Sequence, residues 1–163
     1  MTFVRWGEGK VKLSWNGNTP LPSTDFVTSV HGFCFYEGGL LLVKLNERGW
    51  DFPGGHLEKG ELPQEAFQRE AMEEGYVRGS CQLIGSITVD HRENPNWNKT
   101  SSYPEVGYQL FYRMNVKEVL AFDAAYESNN RMFVEPKTIA DYDIEWNEVY
   151  QEMLEAALKL EEN

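Results

Sequence analysis

Apolar and polar positions alternate along the middle of the chain in a pattern that predicts strands joined by short turns. Phe26–Tyr36 is rich in Val and Phe, and Leu40–Leu45 is a nearly continuous apolar run. Glu37-Gly38-Gly39 lies between them and is typical of a tight turn, so the two segments predict a β-hairpin. Trp50–Phe52 predicts a further short extended segment, which runs directly into Pro53-Gly54-Gly55.

The same pattern predicts more strands later in the chain, at Leu83–Val89, Val106–Val116 and Arg131–Val134. Between the first two lies a polar stretch, Asp90–Pro104, which predicts a loop of the length that often carries function in a compact domain. Residues 1–25 contain turn-forming residues at positions 16–23 and leave two options open, a short strand pair or a loose arm.

Two segments have helical periodicity. Pro63–Gly75 places Ala and Phe at helical spacing after a proline that suits a first turn, and Ile144–Leu160 carries an apolar stripe along one face. Strands mixed with two helices predict an α+β fold, in which a mixed sheet packs between helices as an α/β/α sandwich. A chain of 163 residues suits one domain, which we assign to residues 1–163.

The net charge of the chain limits the kinds of molecule or surface that the protein is expected to bind. Lys and Arg total 15 against 26 for Asp and Glu, which gives a formal net charge of −11. We therefore expect neither DNA nor membrane binding, since both need a basic face. Two cysteines suit a reducing compartment, and the first residues lack an apolar signal core, so we expect a cytoplasmic protein.

Three carboxylates in the first helix are the strongest chemical signal. Glu70, Glu73 and Glu74 stand at i, i+3 and i+4, which places them on one helical face. Like charges at this spacing repel, and a divalent cation would turn the repulsion into attraction, because Mg²⁺ prefers oxygen ligands. A helix with this pattern alone is more often a solvated surface. The residues around it decide between the two interpretations.

Residues 55–77 resemble the Nudix box. The pattern is Gly, five residues, Glu, seven residues, Arg-Glu, an aliphatic residue, any residue, Glu-Glu, any residue, Gly, and an aliphatic residue. Its leading fixed positions are filled by Gly55, Glu61, Arg69, Glu70, Glu73 and Glu74, and Val77 fills the last. Ala71 stands where a larger aliphatic residue is usual, and Tyr76 replaces the final Gly. We expect these departures to repack the helix exit without loss of metal binding.

The resemblance implies a Nudix fold and a hydrolase that cleaves a phosphoanhydride bond with water. It implies Mg²⁺ or Mn²⁺ as cofactor, held by Glu70, Glu73, Glu74 and the Gly55 carbonyl, with Glu70 also the candidate to activate the water. Arg69, which we count with the catalytic residues, would form a structural pair with Glu61. The family often has a further acid in a later loop; Glu127 is the first candidate, as a metal ligand, and Glu105 and Glu93 are its rivals.

The substrate implied by the resemblance is a small nucleotide. Lys44 and Arg48 would meet its phosphates, and Tyr103 in the polar loop would contact its base, with Trp97 as a further aromatic candidate. A nucleoside triphosphate, including an oxidised one, is preferred, while ADP-ribose, dinucleoside polyphosphates and capped RNA 5′ ends stay open, although the net charge of −11 disfavours long RNA. The alternative function is a non-catalytic nucleotide sensor on the same fold, which the complete acidic triad disfavours. The oligomeric state is left open, with a homodimer as one option.

Overall fold

The computed structural model of the protein describes residues 1–6, 9–17, 23–142 and 144–160, and at its centre lies a mixed β-sheet. The strands are β1 Thr2–Trp6, β2 Gly9–Gly17, β3 Val27–Tyr36, β4 Gly39–Leu45, β5 Gly49–Asp51, β6 Gly54–Gly55, β7 Val77–Asp90, β8 Val106–Val119 and β9 Ser128–Val134. Their order is β1-β2-β7-β8-β3-β4-β5, with β6 paired to β3 and β9 to β4. The pair β3–β8 is parallel, whereas neighbours such as β7–β8 and β4–β9 are antiparallel.

Two α-helices, α1 (Pro63–Gly75) and α2 (Glu148–Lys159), cover opposite faces of this sheet. Successive residues of a strand point to opposite faces, so β3 serves both sides. Phe33 and Phe35 join the core cluster that contains α2, whereas Val30 and Cys34 join the cluster that contains α1. The predicted α/β/α arrangement of a mixed sheet between helices is confirmed.

β7, β8 and β9 are longer than the sequence pattern predicted. β9 begins at Ser128 and not at Arg131, β7 begins at Val77, directly after α1, and not at Leu83, and β8 continues to Val119. The first half of β7 carries exposed polar side chains, which hide its strand character from a search for apolar runs. Its backbone is nevertheless paired with β8 from Val77 to Asp90. Pairing between distant segments therefore extended β7 and β8 beyond their apolar centres.

The second helix starts later than its apolar stripe suggested. α2 begins at Glu148 and not at Ile144, because the Asn147 side chain accepts hydrogen bonds from the backbone N–H groups of Val149 and Tyr150 at 3.0 and 3.1 Å. Asparagine is among the most favourable residues at this position, since it satisfies amides that have no partner within the helix. Ile144 still packs against the core beside the helix.

The N-terminal residues form the strand pair that was one of the two options. β1 pairs with β2, and β2 continues the sheet through β7. Of the predicted turn residues, Asn16 and Gly17 lie in β2, and residues 18–22 lie outside the described residues. Phe26 ends a one-turn 3-10 helix, so β3 begins at Val27. Within the described ranges, no helix has the length and apolar character needed to cross a membrane.

Candidate active site

A partly buried ion pair connects the loop before α1 to the helix. Arg69 Nε donates to Glu61 Oε2 at 2.8 Å, and Arg69 NH2 donates to Glu61 Oε1 at 3.0 Å, which is a two-point contact between guanidinium and carboxylate. Arg69 NH2 also donates to the His56 carbonyl at 3.2 Å. The guanidinium lowers the pKa of Glu61 below its usual value. The structure thus brings together the pair that the sequence pattern implied, and the pair anchors the loop that follows β6.

The acidic face of α1 is arranged around the same arginine. Arg69 NH1 donates to Glu70 Oε1 at 2.8 Å and to Glu73 Oε2 at 3.4 Å. Burial raises the pKa of the Glu70 carboxyl, and the nearby guanidinium opposes this shift. Glu58 Oε1 also lies 3.7 Å from Arg69 Nε, so one arginine shares its charge among four carboxylates, which leaves the cluster with an excess of negative charge.

Glu74 is the most deeply buried member of the cluster, with 2% of its surface exposed. Its Oε1 accepts a hydrogen bond from the Gly54 N–H at 2.8 Å, while its Oε2 is buried without a hydrogen-bond partner. Burial raises the pKa of Glu74 to about 8, opposed by the Gly54 hydrogen bond and reinforced by the charges of Glu70 and Glu127. A buried carboxylate oxygen without a partner is costly for the fold unless a cation reaches it.

The backbone beside these carboxylates leaves room only for glycine. A Cβ placed on Gly55 would lie 2.6 Å from Glu70 Oε1, so a side chain there would push the carboxylate away. The Gly55 backbone therefore lies against the Glu70 carboxylate. The donor set is all oxygen, as Mg²⁺ and Mn²⁺ prefer. The residues present therefore fit a hard divalent cation.

The side chains are nevertheless not yet in the geometry of a metal cage. In the described part of the chain, no three Asp, Glu, His or Cys side chains surround a common point as ligands would. Glu70 and Glu73 are turned toward Arg69, and Glu74 is turned toward the Gly54 amide. A cation would have to compete with these hydrogen bonds, and rotation of the carboxylates is the smallest change that would admit it.

A cavity of about 650 Å³ opens over the acidic face of α1. Its lining includes Gly55, Glu70, Glu73, Glu74, Glu127, Arg48 and Tyr103, all of which the sequence had selected. Glu127 directly precedes β9, lines the same cavity, and adds its negative charge to that of the cluster. The structure thus collects at one cavity residues that are more than 70 positions apart in sequence.

Four residues that the sequence suggested as site residues lie outside the cavity lining. Lys44 is exposed on β4 and is not part of the cavity lining, because its neighbour Leu45 takes the inward position on the alternating strand. Glu93 and Glu105, the rivals of Glu127, are exposed and also absent from the lining. Trp97 supports the polar loop, since its indole N–H donates to the Tyr103 carbonyl at 3.0 Å.

Several cavity residues were not found from the sequence. Trp6, at the end of β1, lines the cavity and lies with its ring centroid 6.0 Å from that of His91, the first residue after β7. Ser29 and His31 line the cavity from β3, and Ser29 Oγ lies 2.8 Å from His31 Nε2. Burial lowers the pKa of His31 to about 4, so the ring is neutral at pH 7.

A sequence signal exists for part of this set. His31 and Phe33 are two residues apart in β3, so they lie on the same, inward face of the strand. The sequence pattern therefore indicated the position of His31. No comparable signal exists for Trp6, because a tryptophan near the start of a chain is compatible with any surface or core position. Its place depends on the pairing of β1 with β2 and on the pairing of β2 with β7.

Comparison with known proteins gives one family. The model of the NUDIX domain matches residues 26–155. The Bacillus subtilis protein YtkD, named provisionally as an 8-oxo-dGTP diphosphatase, is 33% identical over 92 residues, which are 56% of this chain and 56% of that protein. The chain therefore spans little more than half the length of this curated relative.

Solved structures share the fold. The Bacillus subtilis pyrophosphohydrolase BsRppH, solved as a mutant, superposes with a TM-score of 0.71 at 22% identity, over 98% of this chain and 97% of that chain. The NUDIX domain of Shewanella oneidensis NrtR, solved with ADP ribose, superposes with a TM-score of 0.54 at 12% identity, over 85% and 92% of the two chains. At these identities the likeness shows the architecture only.

Proposed function

The chain belongs to the NUDIX family, and from this premise we propose that it is a pyrophosphohydrolase dependent on Mg²⁺ or Mn²⁺ that cleaves a phosphoanhydride bond of a nucleotide. The observation that carries the proposal is the buried, unpartnered Oε2 of Glu74 in a cavity that also holds Glu70, Glu73 and Glu127. A solvated acidic helix has no reason to bury one of its carboxylates, whereas a cation site does.

We assign a role in the proposed reaction to each residue of the site. Glu70, Glu73, Glu74 and the Gly55 carbonyl would hold the cation, with Glu127 approaching from the segment before β9. The bound cation supplies charge neutralisation at the phosphate oxygens and a more acidic water. Glu70 would also accept a proton from the attacking water. Arg69 and Glu61 hold the loop and the helix in register, and Arg48 at the cavity contributes positive charge toward a phosphate.

The aromatic side of the cavity favours a nucleotide over an inorganic polyphosphate. Trp6 and Tyr103 line the same cavity as the carboxylates and are 41% and 49% exposed, so their rings are open to a ligand. Exposed aromatic rings beside a phosphate-binding region suit a nucleobase, because stacking needs a free ring face. A nucleoside triphosphate, including an oxidised one, is the preferred substrate, which the provisional assignment of the relative YtkD as an 8-oxo-dGTP diphosphatase supports.

Product analysis tests the proposal directly. The purified chain is incubated with Mg²⁺ and, separately, with 8-oxo-dGTP, unmodified nucleoside triphosphates, ADP-ribose, dinucleoside polyphosphates and RNA carrying a 5′-triphosphate. We expect a monophosphate and pyrophosphate from a triphosphate, and loss of turnover in the double variant E73Q/E74Q. Turnover that persists in the double variant contradicts the site. Tight nucleotide binding without turnover of any substrate would instead support the sensor alternative.

A second measurement does not depend on turnover. Binding of Mn²⁺ to the wild-type chain, followed by the loss of its free electron paramagnetic resonance signal, should weaken at least tenfold in E73Q/E74Q. E118Q provides a matched control, since Glu118 is an exposed carboxylate on β8 outside the cavity lining. Equal Mn²⁺ binding by the wild type and the double variant would rule out a cation site at α1.

A further inference from the structure

Tyr76, which follows α1 directly, stands where the Nudix pattern has its final glycine. Its backbone adopts the left-handed conformation, with φ 54° and ψ 45°, and its N–H donates to the Met72 carbonyl at 3.0 Å. Glycine adopts this conformation without strain, whereas a residue with a Cβ is disfavoured there. A tyrosine at this position therefore needs a contact that a glycine would not make.

The side chain of Tyr76 makes that contact with the segment that joins β8 to β9. Its hydroxyl accepts a hydrogen bond from the Ala125 N–H at 2.9 Å. Its ring packs edge-on against Phe122 at 5.0 Å between centroids and lies 6.3 Å from the ring of Tyr126. The tyrosine is 6% exposed although residues 123–127 of the segment are themselves exposed. The ring is thus buried under a segment that otherwise lies at the surface.

This segment delivers two residues to the cavity. Residues 120–127 have no helix or strand, and the segment ends in Tyr126 and Glu127, both of which line the cavity. The next residue, Ser128, is fixed to α1, since its hydroxyl donates a hydrogen bond to the Glu74 backbone carbonyl at 2.6 Å. Tyr76 therefore holds the segment before Glu127, and Ser128 holds the chain after it.

The charges oppose this placement of Glu127. Glu127 lines the same cavity as Glu70 and Glu73, so the carboxylates repel one another in the absence of a cation. The Glu127 carbonyl accepts a hydrogen bond from the Asn46 N–H at 2.9 Å, but a shift of residues 120–125, which have no regular structure, would still carry the side chain away from the cluster. The Tyr76 ring and hydroxyl oppose the movement, and they extend from the same helix end that carries Glu74.

We propose that Tyr76 is a positioning residue that holds Glu127 against the acidic face of α1. The inference rests on the proposed function, because the placement of Glu127 affects turnover only if the cavity is the catalytic site. It explains why the chain has a strained tyrosine at a position where a glycine would be unstrained. It also assigns a role to a departure from the family pattern that the sequence alone suggested was a matter of packing.

The test replaces Tyr76 in three ways. Y76G restores the residue of the family pattern, Y76N keeps a residue that tolerates the left-handed conformation, and Y76F removes only the hydroxyl. E37G is the matched control for relief of backbone strain, since Glu37 has φ 48° in the turn between β3 and β4, outside the cavity lining. Circular dichroism establishes that each variant is folded before it is compared.

Two readouts are measured. We expect Y76G and Y76N to lower kcat at least tenfold with KM within twofold of wild type, because the phosphates and base contact other residues. Y76F, which keeps the ring, should recover most of the activity, to within about threefold of wild type, and E37G should match wild type within twofold. In the metal-free protein, hydrogen exchange at the Ala125 amide should be at least tenfold faster in Y76G, with the β7 amides unchanged.

The outcomes separate this inference from the function on which it rests. Folded Y76G and Y76N that turn over within twofold of wild type overturn the inference, and so does an Ala125 amide whose exchange does not change. A larger effect on KM than on kcat also overturns it, since that would make Tyr76 part of substrate binding. An inactive wild-type chain refutes the proposed function, and hydrogen exchange then still decides whether Tyr76 anchors the segment.

Discussion

Substitution of Glu74 by glutamine should make the metal-free protein more stable, although the residue lies at the centre of the site. The carboxyl is 2% exposed, one oxygen has no hydrogen-bond partner, and burial raises its pKa to about 8. A raised pKa means that the folded chain binds the proton more tightly than the unfolded chain. The corresponding stability is fully present below the ordinary pKa of 4.5 and is lost as the pH rises through about 8.

The size of the effect follows from the linkage. Between pH 4.5 and pH 7.5 the unfolded chain ionises Glu74 while the folded chain keeps the carboxyl largely protonated, which removes up to about 4 kcal/mol from the free energy of unfolding, at about 1.36 kcal/mol for each pH unit. Glutamine keeps the acceptor for the Gly54 N–H but buries an amide group without a partner, which costs about 1–3 kcal/mol. We expect a net gain of about 1–3 kcal/mol, which raises Tm by about 2–12 °C in a chain of this size.

Thermal unfolding in the presence of a chelator measures this difference. At pH 7.5 E74Q should melt above wild type, and the gap should close toward pH 4.5, where the Glu74 carboxyl becomes protonated in the unfolded chain as well as in the folded one. Addition of millimolar Mg²⁺ should raise the Tm of wild type by mass action and leave E74Q nearly unchanged. E73Q is the control, because the Glu73 side chain is 29% exposed and its charge is less costly to the fold. A metal-free wild type that melts above E74Q at pH 7.5 refutes the reasoning.

Three further substitutions test other parts of the site. R69A should lower the free energy of unfolding by about 2 kcal/mol in urea and also lower kcat, since it removes charge-assisted hydrogen bonds from Glu61; loss of neither quantity would contradict the pairing. G55A should weaken Mn²⁺ binding at least tenfold, measured by paramagnetic resonance, because the added Cβ would lie 2.6 Å from a carboxylate oxygen; unchanged binding would contradict the close approach. W6A should raise KM for a nucleoside triphosphate at least fivefold without lowering kcat, whereas F3A, on the other face of β1, should leave KM unchanged; equal effects would exclude a specific base contact.

The parts of the site that depend on short sequence separations were predictable. Glu70, Glu73 and Glu74 share a helical face because 3.6 residues make one turn, whatever the rest of the chain does. Arg69 and Glu61 are eight positions apart, so the loop and the first helical turns suffice to bring them together. The hairpin of β3 and β4 and the two core-facing sides of β3 also follow from local patterns.

Register between distant strands was not predictable in the same way. Lys44 was expected at the phosphates, but alternation along β4 turns it to the surface, and the sequence does not reveal which face of that strand borders the cavity. The length of β7 depends on its pairing with β8, and its polar first half carries no apolar signal of its own. The start of α2 depends on one asparagine that caps the helix, which an apolar stripe does not mark.

The amino-acid sequence by itself determined the acidic helix, the loop that its arginine anchors and the family to which both belong, because all of these arise from contacts between near neighbours. The tertiary structure decided which distant groups line the cavity over that helix: Trp6 from the first strand, His31 from the third, and Glu127 from the segment that covers Tyr76. Their places depend on strand pairing and on the burial of one tyrosine ring. Such long-range contacts form only when the whole sheet is assembled, so a local pattern can select His31 or Glu127 but does not show that they meet the helix.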